Sequence, residues 1–218
     1  MATYRAWAAV AAGLGLVGLW LAGCSDAESN LQSPKAEKRI QALRALGKQQ
    51  SDEAVQKIAE VVNDQDHAVA CEAVRVLAQT RRPAAKEVLK RVATADKRDA
   101  VRREAVAQYG AYAESLDTLR EVAKADPDAT VRAEAVRSMY RQRSLADVPL
   151  LVEIAETEQD LLVQARAVDA VEHLIGGVRF GYDPKSSPAE RRKALERMRS
   201  QAIRIAASVI EYEKQKNQ

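Results

Sequence analysis

Aromatic side chains are scarce in this chain of 218 residues. They make up 4% of it, Phe180 is the only phenylalanine, and both tryptophans, Trp7 and Trp20, fall in the first 20 positions. Beyond them the chain must pack on Ala, Val, Leu and Ile, whose small size lets helices approach closely and suits stacked helix pairs better than one large core. Cysteine occurs only at Cys24 and Cys71, which excludes a disulfide-stapled framework and leaves the fold to packing. Neither sign of charge dominates, since 34 Lys and Arg against 31 Asp and Glu leave +3. Such a mixed surface makes no overall case for nucleic acid. The two histidines, His67 and His173, lie far apart, and no nucleophile–base pair or phosphate-cradling glycine loop is present. No catalytic residue, no metal site and no cofactor follow from this composition, and the chain is read as a non-enzyme.

What the chain does have is a repeat. Val-x-x-Glu-Ala-Val stands at Val69, Val101 and Val131, with relaxed copies starting at Val163 and Lys38, so that the starts are 31, 32, 30 and 32 residues apart. A fixed period of this length marks a solenoid of stacked helix pairs. First helices are expected over 52–62, 83–93, 115–125 and 144–156, and second helices over 66–79, 99–109, 128–141 and 160–175. A half-pair starts at Ser33-Pro34 and is closed by Gly47. Each second helix repeats one apolar face: Val69, Ala73, Val74 and Leu77 correspond to Val101, Ala105, Val106 and Tyr109, then to Val131, Ala135, Val136 and Met139, then to Val163, Ala167, Val168 and Val171.

Acids recur at the turn inside each pair. Asp64, Asp96, Asp126 and Glu158 stand five residues before the repeat valines, and Asp66, Arg98, Asp128 and Asp160 stand three before. Paired carboxylates can serve metal binding or acid–base chemistry, but their repeat period, with Arg98 in the set, assigns them to capping the amides and the positive dipole end of the second helices. Cys71 reads as a small helix-face residue, and with His67 at i, i+4 it makes at most half of a metal site.

The stretch Asp126-Pro-Asp-Ala-Thr-Val-Arg-Ala-Glu-Ala-Val136 resembles HEAT repeats of the bacterial phycobilisome-lyase-like type, and the resemblance covers roughly residues 34–175. It implies an all-α fold, a HEAT-like α-solenoid of about four to five helix pairs closed by a long C-terminal helix, with partners held on an extended surface. It also implies that an Arg after the repeat Val pairs with a turn acid of a neighbouring repeat. Arg102 and Arg132 match that place, whereas Ala70 and Gln164 do not. Lyase activity does not travel with the resemblance.

The N-terminus speaks about location. Arg5 precedes an uncharged run from Ala6 to Gly23 that ends in Leu21-Ala-Gly-Cys24. This junction resembles the lipobox of bacterial lipoproteins, which implies a signal peptide at 1–23, lipid attachment at Cys24 and a membrane anchor on the extracytoplasmic side of a cell envelope. An uncleaved membrane helix is the alternative. Ser25, not Asp, follows Cys24, which favours the outer membrane over the inner. A polar tether is expected over 24–33.

After residue 175 the register breaks. Gly176-Gly177 and Phe180-Gly-Tyr-Asp-Pro184 form a connector over 176–187, and Ser187-Pro-Ala-Glu190 is a capping box for a C-terminal capping helix over 188–218. Leu195, Met198, Ala202, Ile205, Val209 and Tyr212 form one stripe on that helix, either a docking face onto the repeats or a dimer seam. The expected function is a scaffold or adaptor for a protein partner, with Tyr112 and Tyr140 as candidate protein contacts. The alternative is a binding module for anionic envelope surfaces, lipid head groups or polysaccharide, through Arg191, Arg192, Lys193, Arg197, Arg199 and Arg204.

Overall fold

The computed structural model describes residues 28–216, and these form helices and turns with no strand. The regular helices are α1 (Ala36–Gly47), α2 (Asp52–Val61), α3 (His67–Thr80), α4 (Pro83–Ala95), α5 (Asp99–Tyr109), α6 (Leu116–Ala125), α7 (Ala129–Arg141), α8 (Val148–Thr157), α9 (Leu161–Leu174) and α10 (Pro188–Lys216). Short 3-10 turns, Ala113–Ser115 and Leu145–Asp147, lead into α6 and α8. The chain divides into two compact units, one ending at Val88 and one beginning at Leu89.

In the first unit α3 packs on both α1 and α2. Leu43, Leu46, Ile58, Val69, Val74 and Leu77 are fully buried there. The Ser51 hydroxyl caps α2 by accepting from the Ala54 amide at 3.1 Å, and Asp66 caps α3 through the amides of Ala68 and Val69. Gly47 closes α1 as expected, and the reason is packing. A Cβ there would lie 2.4 Å from Cγ1 of Val76, so glycine marks a close approach of α1 and α3. The left-handed residue of this turn is Gln50, with φ 53°.

Two N-terminal expectations shift. The first regular helix starts at Ala36 behind Lys35, not at Ser33-Pro34. The Ser33 carbonyl instead accepts from Nη1 of Arg39 at 2.7 Å. The stretch read as a tether is structured from residue 28, with 28–30 helical and Lys57 Nζ paired with the Glu28 carboxylate.

In the second unit α7 packs on α5 and α6, α9 packs on α7 and α8, and α10 lies against α8, its 3-10 turn and α9. The whole repeated apolar face is inside: Val101, Ala105, Val106, Val131, Ala135, Val136, Val163, Ala167 and Val171 have no exposed surface. Asp128 and Asp160 cap α7 and α9 as expected, while Arg98 offers α5 no cap. The capping box forms, with the Ser187 amide donating to Glu190 at 2.9 Å and the Glu190 amide to the Ser187 hydroxyl at 3.3 Å. The helix it opens runs from Pro188 to Lys216, within the expected span of 188–218.

Candidate functional site

The turns inside the pairs carry a ladder of half-buried charge, and its geometry explains the repeated acids. Nε and Nη2 of Arg102 donate to the two carboxylate oxygens of Asp126 at 2.8 and 2.9 Å, while Nη1 donates to the Asp96 carbonyl at 2.9 Å. Arg132 repeats this one rung on, with Glu158 at 2.8 and 3.0 Å and the Asp126 carbonyl at 2.9 Å. Arg39 does the same in the first unit, with Asp64 at 2.7 and 2.9 Å. Each guanidinium therefore ties its own turn to the next one, and the planar fork suits a bidentate carboxylate. The Arg132 hydrogen bonds hold the Glu158 carboxyl below the usual carboxylate range, and the same bonds raise Arg132. Every acidic side chain of the set is thus occupied in structure.

The departures from the pattern are also explained. Beside Ala70 there is no ladder arginine, and Asp96 is gripped within its own turn by Arg98 at 2.8 and 2.9 Å. That contact lowers the Asp96 pKa, the Arg98 side-chain hydrogen bond being the main cause. Gln164 stands where no further repeat follows. Its Nε2 donates to the carbonyls of Ala155 and Glu158 at 2.9 and 3.3 Å, and its Oε1 accepts from the Tyr182 hydroxyl at 2.5 Å. The connector thus fills the place of a missing repeat turn. It is fixed again at buried Glu172, which accepts from the Phe180 amide at 2.8 Å and from Arg179 at 2.6 Å.

Cys24 lies outside the described residues, and so does the signal segment. His67 is exposed at the start of α3 and Cys71 is half-buried one turn on. No group of three or more His, Cys, Asp or Glu is placed to hold a metal ion, and no helix is long and apolar enough to cross a membrane, among the described residues.

Tyr112 and Tyr140 both sit where a second helix ends and the next first helix begins, but they differ in setting. Tyr112 is half-buried in the turn after α5, its ring 6.0 Å from that of Tyr109. Its carbonyl accepts from Gln142 Nε2 at 3.0 Å, and the same nitrogen reaches the Gly110 carbonyl at 2.6 Å. Tyr112 is therefore part of a packed turn. Tyr140 is 37% exposed on α7, and its ring lies 5.6 Å from that of exposed His173 on α9. In the repeat register its place is held by Gly47, Ala78 and Gly110 in the earlier copies. At Gly110 a Cβ would meet Ser138 Cβ at 2.5 Å. Where other copies bring two second helices together on a glycine, this one presents an aromatic ring to solvent.

The basic residues of α10 are partly spent on packing. Arg197 donates to the Phe180 carbonyl at 2.8 and 3.1 Å, Arg191 to the Ser186 carbonyl, and Arg199 pairs with Glu156 at 3.6 Å.

HEAT repeats match residues 27–110 and 106–172 of the chain. No curated protein matches it. Solved structures do. One engineered protein shares 21% identity over 85% of this chain and 98% of its own, with a TM-score of 0.48. A second engineered protein shares 19% over 85% and 96%, with a TM-score of 0.46. The complex of CpcE and CpcF of phycocyanin lyase from Nostoc sp. PCC7120 shares 20% over 84% and 79%, with a TM-score of 0.40.

Proposed function

Because the chain belongs to the HEAT-repeat family, we propose that it is a non-enzymatic scaffold that holds a protein partner on the second-helix face of its repeats. Its place is the extracytoplasmic side of a bacterial envelope, anchored through a lipidated Cys24. The observation that carries the contact face is Tyr140, an exposed ring tilted against that of His173 where the earlier repeats have Gly or Ala. A rigid aromatic side chain offers a large contact area at small entropy cost, which is why tyrosine is enriched among residues that dominate binding. The turn acids support the absence of catalysis, because Arg and amide donors already occupy them.

The anchor rests on Leu21-Ala-Gly-Cys24 after an uncharged run. Only lipidation makes use of a cysteine sulfur at that junction, and Ser25 points to the outer membrane. Two measurements test the reading. A photo-crosslinking residue at position 140 in intact cells is expected to join a protein, and Tyr140→Ala to weaken recovery of that protein about tenfold or more. Capture at no higher level than from an exposed position on α2 would refute the contact face. Separately, Cys24→Ser is expected to block incorporation of labelled palmitate and to leave the longer precursor. Processing of that variant to the mature size would refute the anchor.

A further inference from the structure

Helix α10 has 29 residues, about 43 Å at 1.5 Å per residue, whereas α8, on which it packs, has 10. Ala194, Leu195, Met198, Ala202 and Ala206 mark the docked part, and no described side chain after Ala206 is buried. The helix stays apolar nonetheless. Ile203 is 39% exposed and Tyr212 67%, while Ile205, Val209 and Ile210 are half-buried. Gln201, Arg204, Ile205, Ser208, Val209 and Tyr212 line an open groove of about 520 Å³ along the free half.

The groove has the spacing of a two-helix seam. Gln201, Ile205, Ser208, Tyr212 and Gln215 follow at alternate steps of four and three. Arg204 and Glu211 flank it on one side, seven residues and therefore about 10.5 Å apart, too far to meet within one helix. Neither makes an ion pair among the described residues; Arg204 donates to the Ser200 carbonyl at 2.9 Å and Glu211 accepts from Gln215 at 3.3 Å. A second copy running antiparallel solves both. It sets Ile205 against Ser208 and Tyr212 against Gln201, and it brings each Arg204 beside the other copy's Glu211 in two reciprocal pairs. The small Ser208 lets the axes approach. A parallel copy would instead set Arg204 against Val209.

We propose that the free half of α10 pairs antiparallel with the same half of a second copy, making the protein a two-fold homodimer. Sedimentation velocity of the full chain in density-matched detergent tests this. The wild type is expected to sediment as a concentration-dependent dimer. Arg204→Glu alone and Glu211→Arg alone each set like charges together twice, and each is expected to raise the dissociation constant roughly tenfold or more. The double exchange Arg204→Glu with Glu211→Arg is expected to restore the dimer. All these positions are exposed, and unchanged far-ultraviolet circular dichroism will show that the variants fold. A wild-type monomer at every concentration overturns the proposal. So does a dimer that neither single reversal weakens, or one that the double exchange fails to recover.

Discussion

At the scale of single residues, size matters more than chemistry in most of this protein. Gly110 is held to glycine by Ser138 of the neighbouring second helix, whose Cβ stands 2.5 Å from where a methyl would go. Gly110→Ala is expected to cost about 1–3 kcal/mol, the usual penalty of overpacking. Adding Ser138→Gly should recover part of it, because the clash is with that Cβ. Urea denaturation of the three variants measures this, and a neutral Gly110→Ala would mean the two helices separate freely. Tyr140 is the counterpart of Gly110 one repeat on, and there the ring is turned to solvent. Identity at this register position was legible in the sequence. The distinction between an exposed Tyr140 and a packed Tyr112 was not, because it depends on Gln142 reaching back across 30 residues to the Tyr112 carbonyl.

At the scale of elements, the turns are what the ladder holds. Glu158 is kept below its ordinary pKa by Arg132, so its contribution to stability is present above the unfolded carboxyl pKa of about 4.3 and is lost as pH falls through the lower folded value. Glu158→Gln is therefore expected to lower stability at pH 7 by about 2 kcal/mol, typical of a hydrogen bond to a charged group. The deficit should shrink as pH falls below about 4, where the wild type loses the same term. Chemical denaturation at the two pH values checks the sign; a deficit that grows in acid would remove Glu158 from the ladder. Arg39 belongs to the same set, although its repeat copy is the weakest. The signal was present, as Arg follows the copy's first residue there just as in the Val101 and Val131 copies.

At the scale of the molecule, repeats are closed at the C-terminal side by substitution. Tyr182 supplies the partner that a further turn would have given Gln164, and Phe180 and Arg179 satisfy buried Glu172. Buried positions of the long helix α10 end at Ala206, and the side lined by Ile205, Ser208 and Tyr212 is left for the pairing proposed above. Both tryptophans precede Cys24, so a protein processed at that residue is expected to show tyrosine fluorescence but no indole emission. Clear indole emission from cell-purified protein would mean that the segment before Cys24 is retained.

The sequence by itself determined the period, the helix pairs and the buried face, because a repeating pattern of apolar residues at helical spacing has one economical way to hide from water. It also determined the caps, since Asp66, Asp128 and Asp160 bond amides two and three residues away. The pairing of Arg102 and Arg132 with a turn acid of the next repeat was already implied by the resemblance. Only the tertiary structure decided that Arg39 joins them, where glycine is needed for close approach, and how much of the C-terminal stripe is covered. These depend on contacts between residues 25 to 30 apart, as for Arg39 with Asp64 and Gln142 with Tyr112. Their distances are set by how neighbouring helices settle on one another, which no local spacing encodes.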